Sequence, residues 1–186
     1  MRKHHVPNIL TIFRGVAAFL IIMLFLSFIK ERLITAYVLF VFAAASDFFD
    51  GYLARRWKVT SDFGAVFDPL FDKILVLSLI VLVYPFDIVP PAILLILLVR
   101  DISTDALKNY MLAHGVVTPA IYTAKLKTTS QFLMFNFALI ALAWPDVPYV
   151  KEVATLTGFV AVFFSLWSGS AYVQRFIDFS KESRAL

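Results

Sequence analysis

The chain has 186 residues, of which 61% are hydrophobic and 16% charged, with a mean hydropathy of +0.84 and a formal net charge of +4. This composition lies far outside that of soluble domains and reads as an integral membrane protein. The absence of cysteine excludes disulfides and thiolate metal sites, so chemistry must come from carboxylates, bases and hydroxyls.

A membrane-crossing helix needs about 20 mostly apolar residues, and on that ruler the sequence predicts six spans. The basic start "MRKHHVPN" leads into the first, about Ile9 to Ile29; no small-residue cleavage site follows, so it reads as a retained span rather than a removed signal. The others cover about Leu33 to Ala54, Phe63 to Val83, Ile88 to Met111, Ser130 to Trp144 and Val150 to Phe176. The loops "KER", "YPFDIVPP" and "WPDVPYVK" then fall on one side of the bilayer. The N-terminus, "RRWKVTSD", "AHGVVTPAIYTAKLK" and the C-terminus fall on the other. Of the 17 Lys and Arg residues, Lys30, Arg32 and Lys151 go to the first side and the rest to the second. The positive-inside rule makes that second side cytosolic, with both termini inside. No repeat, low-complexity tract or long linker divides the chain, which predicts a single all-α transmembrane domain over residues 1–186.

The polar residues inside these spans carry the functional signal, because an intramembrane charge is costly and is retained where it does something. On the second span Asp47, Asp50, Gly51, Ala54 and Arg55 follow the spacing of one helix face; on the third, Gly64, Asp68 and Asp72 do the same. If the two helices are antiparallel neighbours, four carboxylates converge near the cytosolic interface. Insertion scales charge about 2.5–3.5 kcal/mol for a central aspartate, so four together rival the whole stability of a domain, about 5–15 kcal/mol. Arg55, Arg56 and Lys73 offset part of this. One or two divalent cations offset it more fully, and oxygen-only ligation favours Mg²⁺ or Mn²⁺. The competing explanation is a set of solvated helix ends with ordinary ion pairs. Gly51, Ala54 and Gly64 serve either close helix packing or room for a ligand. Pro69, beside Asp68, is expected to bend the third helix and free a carbonyl.

A second polar group lies further on. Arg100 follows a purely apolar run, Lys108 comes two turns later, and Lys125 and Lys127 open the fifth span on the same cytosolic side. Together they suit an acceptor bearing a phosphate, with Asp101 and Asp105 supporting the basic side chains. Positive-inside signalling and lipid head-group contact account for the loop lysines equally well, but not for the deeper Arg100.

The stretch "DFFDGYLARRWKVTSDFGAVFDPLFD", Asp47 to Asp72, resembles the CDP-alcohol phosphatidyltransferases at every fixed position of their signature. The resemblance implies six transmembrane helices, a homodimer, and transfer of a phosphatidyl group from a CDP-linked lipid to an alcohol with release of CMP. It implies two metal ions on Asp47, Asp50, Asp68 and Asp72, a CDP-diacylglycerol site lined by Gly51, Ala54, Arg55 and Gly64, and Asp72 as the base. The chemistry agrees: a diphosphate approaches carboxylates only across metal ions, Arg55 suits a phosphate oxygen, and a carboxylate at the rim suits a hydroxyl proton. The stretches "VPNILTIFR", "DPLFDK", "DALKNYMLAHG" and "AKLKTTSQF" are similar to those of members whose acceptor is sn-glycerol 3-phosphate. By that resemblance Arg100, Lys108, Lys125 and Lys127 hold the acceptor phosphate, and Thr11 and Arg14 border the site. Arg100-Asp101 stands where those members usually have Arg-Glu; Arg-Asp also occurs in members that use phosphatidylglycerol, which is the alternative acceptor. The expected location is a bacterial inner membrane, with the site at the cytosolic face and no nucleic-acid partner. A divalent-cation transporter built on the same aspartates is the remote alternative, and it leaves Gly51, Arg55 and the basic group without a role.

Overall fold

The structure, a computed structural model, describes residues 5–27, 31–57, 62–119 and 121–182, and the side chains of these except 5–7, 47–57, 62–63, 65–66 and 182. Among the described residues there are six α-helices and no strand: α1 (His5–Leu26), α2 (Arg32–Trp57), α3 (Asp62–Val83), α4 (Pro91–Ala113), α5 (Tyr122–Ala143) and α6 (Val150–Glu182). Among the described residues four stretches are long and apolar enough to cross a bilayer: Asn8–Leu26, Phe67–Phe86, Tyr122–Ala143 and Val150–Lys181. The chain is an all-helical membrane protein. In α2 the described side chains, Arg32–Ser46, form an apolar stretch that leads up to Asp47 and Asp50 in the sequence. In α4 the apolar part ends at Val99, before Arg100 and Asp101. Helix α4, which falls short by composition, thus bears predicted site charges, Arg100 and Lys108 among them.

Helix ends differ from the sequence expectation for local reasons. Helix α4 starts at Pro91 rather than Ile88, since Pro90 is extended (φ −50°, ψ 129°) and a proline is favoured at the first helical position. It ends in a Schellman motif: Val116 N–H donates to the Met111 carbonyl, Gly115 N–H to the Leu112 carbonyl, and Gly115 takes φ 81°, which glycine adopts without steric cost. Helix α5 begins at Tyr122, well before Ser130, because the polar turns "YTAKLKTT" are helical without being apolar. Helix α6 has 33 residues and runs past Phe176. At 1.5 Å per residue it is about 50 Å long, against about 30 Å of bilayer hydrocarbon.

Contacts group the chain into two units, Met1–Ile88 with Phe135–Val150, and Val89–Met134 with Lys151–Leu186. In the first, α1 packs against both α2 and α3. Thr11, Arg14, Ala17, Ala18 and Ile21 are buried on one face of α1, at the three-and-four spacing of a packed helix. Ala36, Phe40 and Ala43 of α2 and Leu75, Leu79 and Leu82 of α3 repeat the pattern. The other face of α1, with Ile9, Phe13, Val16 and Phe19, is exposed and apolar, as a lipid-facing surface requires.

Gly15 sets the approach of α1 to α3. A Cβ on it would lie 2.7 Å from two carbons of the Phe71 ring, so any side chain there must displace the ring. Arg14 and Asp72 are the adjoining residues. Gly15→Ala is expected to cost about 1–3 kcal/mol, as overpacking does, and to lower activity by moving Arg14 from Asp72. Thermal unfolding in detergent checks this; unchanged stability would mean that Phe71 swings aside freely.

In the second unit Ile93, Leu94 and Leu97 of α4 are buried together with Met134 of α5 and Ala154 and Ala161 of α6. Buried polar side chains lie among them, including Thr104, Lys127, Ser165 and Ser168.

Candidate active site

Asp68 and Asp72 stand one turn apart on α3, and α1 supplies a partner to each. Thr11 Oγ1 donates to Asp68 Oδ1 at 2.6 Å. Arg14 Nη1 lies 3.8 Å from Asp72 Oδ1. Thr11 and Arg14 are themselves one turn apart, and each is only 1% exposed. One helix face therefore presents a neutral donor and a cation in the register of the two carboxylates. Thr11 and Arg14, expected to border the site, thus each contact one of its candidate aspartates. The ion pair is asymmetric, with Arg14 enclosed and the Asp72 side chain 41% exposed. A buried guanidinium is tolerable only beside an anion, so Arg14 anchors the carboxylate while leaving it open on its outer side.

Gly64 lies one turn before Asp68 on the same helix and is half-buried. Pro69 sits inside α3, which continues through it; having no N–H, it leaves the carbonyl of Ala65 without its usual helical donor. Asp47, Asp50, Gly51, Ala54 and Arg55 fall on α2, with their side chains outside the described residues. Among the described residues no three metal-ligating side chains gather, since only Asp68 and Asp72 of the predicted set are within them. What is described fits a hard divalent cation: two carboxylates at helical spacing, oxygen donors only, and a hydroxyl that fixes the rotation of Asp68.

The predicted basic residues divide into two groups in the second unit. Arg100 donates from Nε to the Ser165 carbonyl at 2.8 Å, from Nη1 to Asp101 Oδ1 at 3.0 Å, and from Nη2 to Ser168 Oγ. Lys127 Nζ donates to Asp101 Oδ2 at 2.6 Å. Asp101 thus joins the two cations, and through them α4, α5 and α6. Lys125 is exposed, because residues two apart on a helix point to nearly opposite faces. Lys108 belongs to a different arrangement, 3.8 Å from Asp105 and with its ammonium 4.3 Å from the centre of the buried Tyr172 ring.

Sequence reasoning missed Ser165 and Ser168, which hold Arg100, and Gly15, which sets the level of Arg14. The signal for the first pair was present in "SLWSGS", where small polar residues at a helical spacing mark a face able to receive a large side chain.

The family model described as CDP-alcohol phosphatidyltransferase matches residues 4–167. Three curated bacterial proteins named CDP-diacylglycerol--glycerol-3-phosphate 3-phosphatidyltransferase are similar over nearly their whole length. The one from Pectobacterium atrosepticum is 35% identical over 92% of this chain and 94% of its own. The one from Haemophilus influenzae is 35% identical over 92% and 93%, and that from Rickettsia typhi 31% identical over 90% and 94%. Matched by the family model over residues 4–167, a range that contains α3 and the Arg100, Asp101 and Lys127 cluster, the chain belongs to the CDP-alcohol phosphatidyltransferase family.

Proposed function

We propose that this protein transfers the phosphatidyl group of CDP-diacylglycerol to sn-glycerol 3-phosphate, giving phosphatidylglycerol phosphate and CMP in phospholipid biosynthesis. The observation that carries the acceptor is the pair of half-buried Arg100 and buried Lys127, fixed by a shared carboxylate in the manner of an anion site. The relatives' names point to the same acceptor.

Asp68 and Asp72, with Asp47 and Asp50, hold two divalent cations, Mg²⁺ or Mn²⁺, which when bound neutralise the diphosphate and the departing CMP. Gly51, Ala54 and Gly64 leave room for the CDP group, and Arg55 pairs with a phosphate oxygen. Arg100 and Lys127 take the acceptor phosphate, with Lys125 and Lys108 in supporting positions. Asp72 accepts the proton of the acceptor's 1-hydroxyl, whose oxygen bonds to the phosphorus bearing the lipid as the bond to CMP breaks. Arg14 keeps the Asp72 carboxylate oriented, and its open outer side suits a proton acceptor.

The membrane arrangement we propose is a single domain over residues 1–186 with six spans, both termini cytosolic, working as a homodimer in a bacterial inner membrane. The charge bias of the loops supports that orientation. A cytosolic site lets a lipid and a water-soluble acceptor reach the same enzyme.

Purified protein supplied with CDP-diacylglycerol is expected to release CMP with glycerol 3-phosphate and not with phosphatidylglycerol, serine or inositol phosphate. Release with phosphatidylglycerol alone would overturn the acceptor assignment and leave family membership standing.

A further inference from the structure

We infer that Asp101 is a positioning residue for the acceptor: it fixes Arg100 and Lys127 as a rigid pair shaped for a phosphomonoester. The inference rests on the proposed function and specifies what the basic cluster recognises. Both oxygens of Asp101 are engaged, Oδ1 by Arg100 at 3.0 Å and Oδ2 by Lys127 at 2.6 Å. The side chains of Arg100, Asp101 and Lys127 are 11%, 22% and 10% exposed.

Stability does not account for such a cluster, because a buried ion group is often no more stable than apolar residues of the same volume. Attraction of an anion does not account for it either, because a carboxylate beside two cations weakens their field. Geometry does. Two cations brought together in a poorly hydrated site repel each other, and a carboxylate between them holds both at fixed positions. A lysine side chain loses rotamer freedom when it grips a ligand; Asp101 makes Lys127 lose it on folding, so that less is lost on binding.

Arg100 is held as closely. The Ser165 carbonyl takes its Nε–H, Ser168 Oγ one Nη2–H and Asp101 one Nη1–H, which leaves one N–H on each terminal nitrogen. Those two donors and the Lys127 ammonium match the three terminal oxygens and two negative charges of a phosphomonoester. A phosphodiester offers two such oxygens and one charge. Asp101 therefore holds three donor directions in place, all of which a phosphomonoester can engage.

The test turns on sign. Asp101→Asn adds a unit of positive charge to the cluster, so a bystander carboxylate would be revealed by tighter acceptor binding, whereas a positioning role requires weaker binding. Steady-state kinetics in mixed lipid–detergent micelles are expected to show the KM for glycerol 3-phosphate raised at least about tenfold, as for loss of a charge-assisted contact. The KM for CDP-diacylglycerol should stay within about twofold. Asp101→Glu, which restores the charge, should recover most of the loss. Ser168→Ala, which loosens Arg100 without changing any charge, should raise the acceptor KM about threefold, the scale of a neutral hydrogen bond. An acceptor KM unchanged or lowered in Asp101→Asn, or both KM values raised together, overturns the inference. Should Asp101→Asn fail to fold, Ser168→Ala decides, and an acceptor KM equal to that of the unmodified protein overturns it. Failure of the functional reading looks different: the unmodified protein then gives no CMP with glycerol 3-phosphate, a result that sinks both before any variant is assayed.

Discussion

Asp72→Asn is expected to lower turnover by about 10²- to 10⁴-fold, the range for loss of a general base, while CDP binding is largely kept. The substitution preserves shape and one carbonyl oxygen but removes the oxygen proposed to receive the acceptor's proton. It also takes the anion away from Arg14, which is 1% exposed. Breaking a fully buried pair costs about 3–5 kcal/mol. Here the loss should be smaller, because the Asp72 side chain is 41% exposed and Arg14 has other contacts. Turnover is therefore to be read beside thermal unfolding and CDP binding in the same detergent. Loss of turnover with folding and CDP binding retained assigns the base. Near-normal turnover would remove Asp72 from that role.

Chelation is expected to reduce CMP release by about 10³-fold, since charge stabilisation by metal ions is worth several kcal/mol. Added Mg²⁺ or Mn²⁺ should restore it. This loss differs in kind from that of Asp72→Asn, because CDP binding should go as well. Without intervening cations the diphosphate meets the carboxylates of α2 and α3 directly, and like charges at close range repel. Titration of CDP into dialysed protein, with and without chelator, separates the two cases. Full CDP affinity and full activity after chelation would contradict the proposed role of Asp68 and Asp72 as ligands.

The sequence was most legible where one helical period carried the message. Six apolar stretches marked six helices, and the spacing of Asp68 and Asp72 placed them on one face of α3. Legibility failed at polar helix ends, where α5 continues through "YTAKLKTT" beyond the apolar edge, because hydropathy measures burial in lipid and not helix formation. It failed again for contacts between distant segments. The resemblance puts Arg14 at the border of the candidate site, but its approach to Asp72 and that of Gly15 to Phe71 are relations between helices that no local pattern encodes. The sequence shows Arg100 only as a cation after an apolar run; its locking by Ser165, Ser168 and Asp101 comes from the packing of α4 against α6. Lys125 and Lys127 looked equivalent as charges, and helix geometry made one exposed and the other buried.

In the proposed reaction the acceptor hydroxyl bonds to the phosphorus bearing the lipid. Glycerol 3-phosphate labelled with ¹⁸O in its 1-hydroxyl tests this directly, with both products weighed by mass spectrometry. The label is expected wholly in the phosphatidyl product, as the bridging oxygen, with unlabelled CMP. Labelled cytidine nucleotide accompanied by phosphatidic acid would place the attack on the other phosphorus and contradict that reaction.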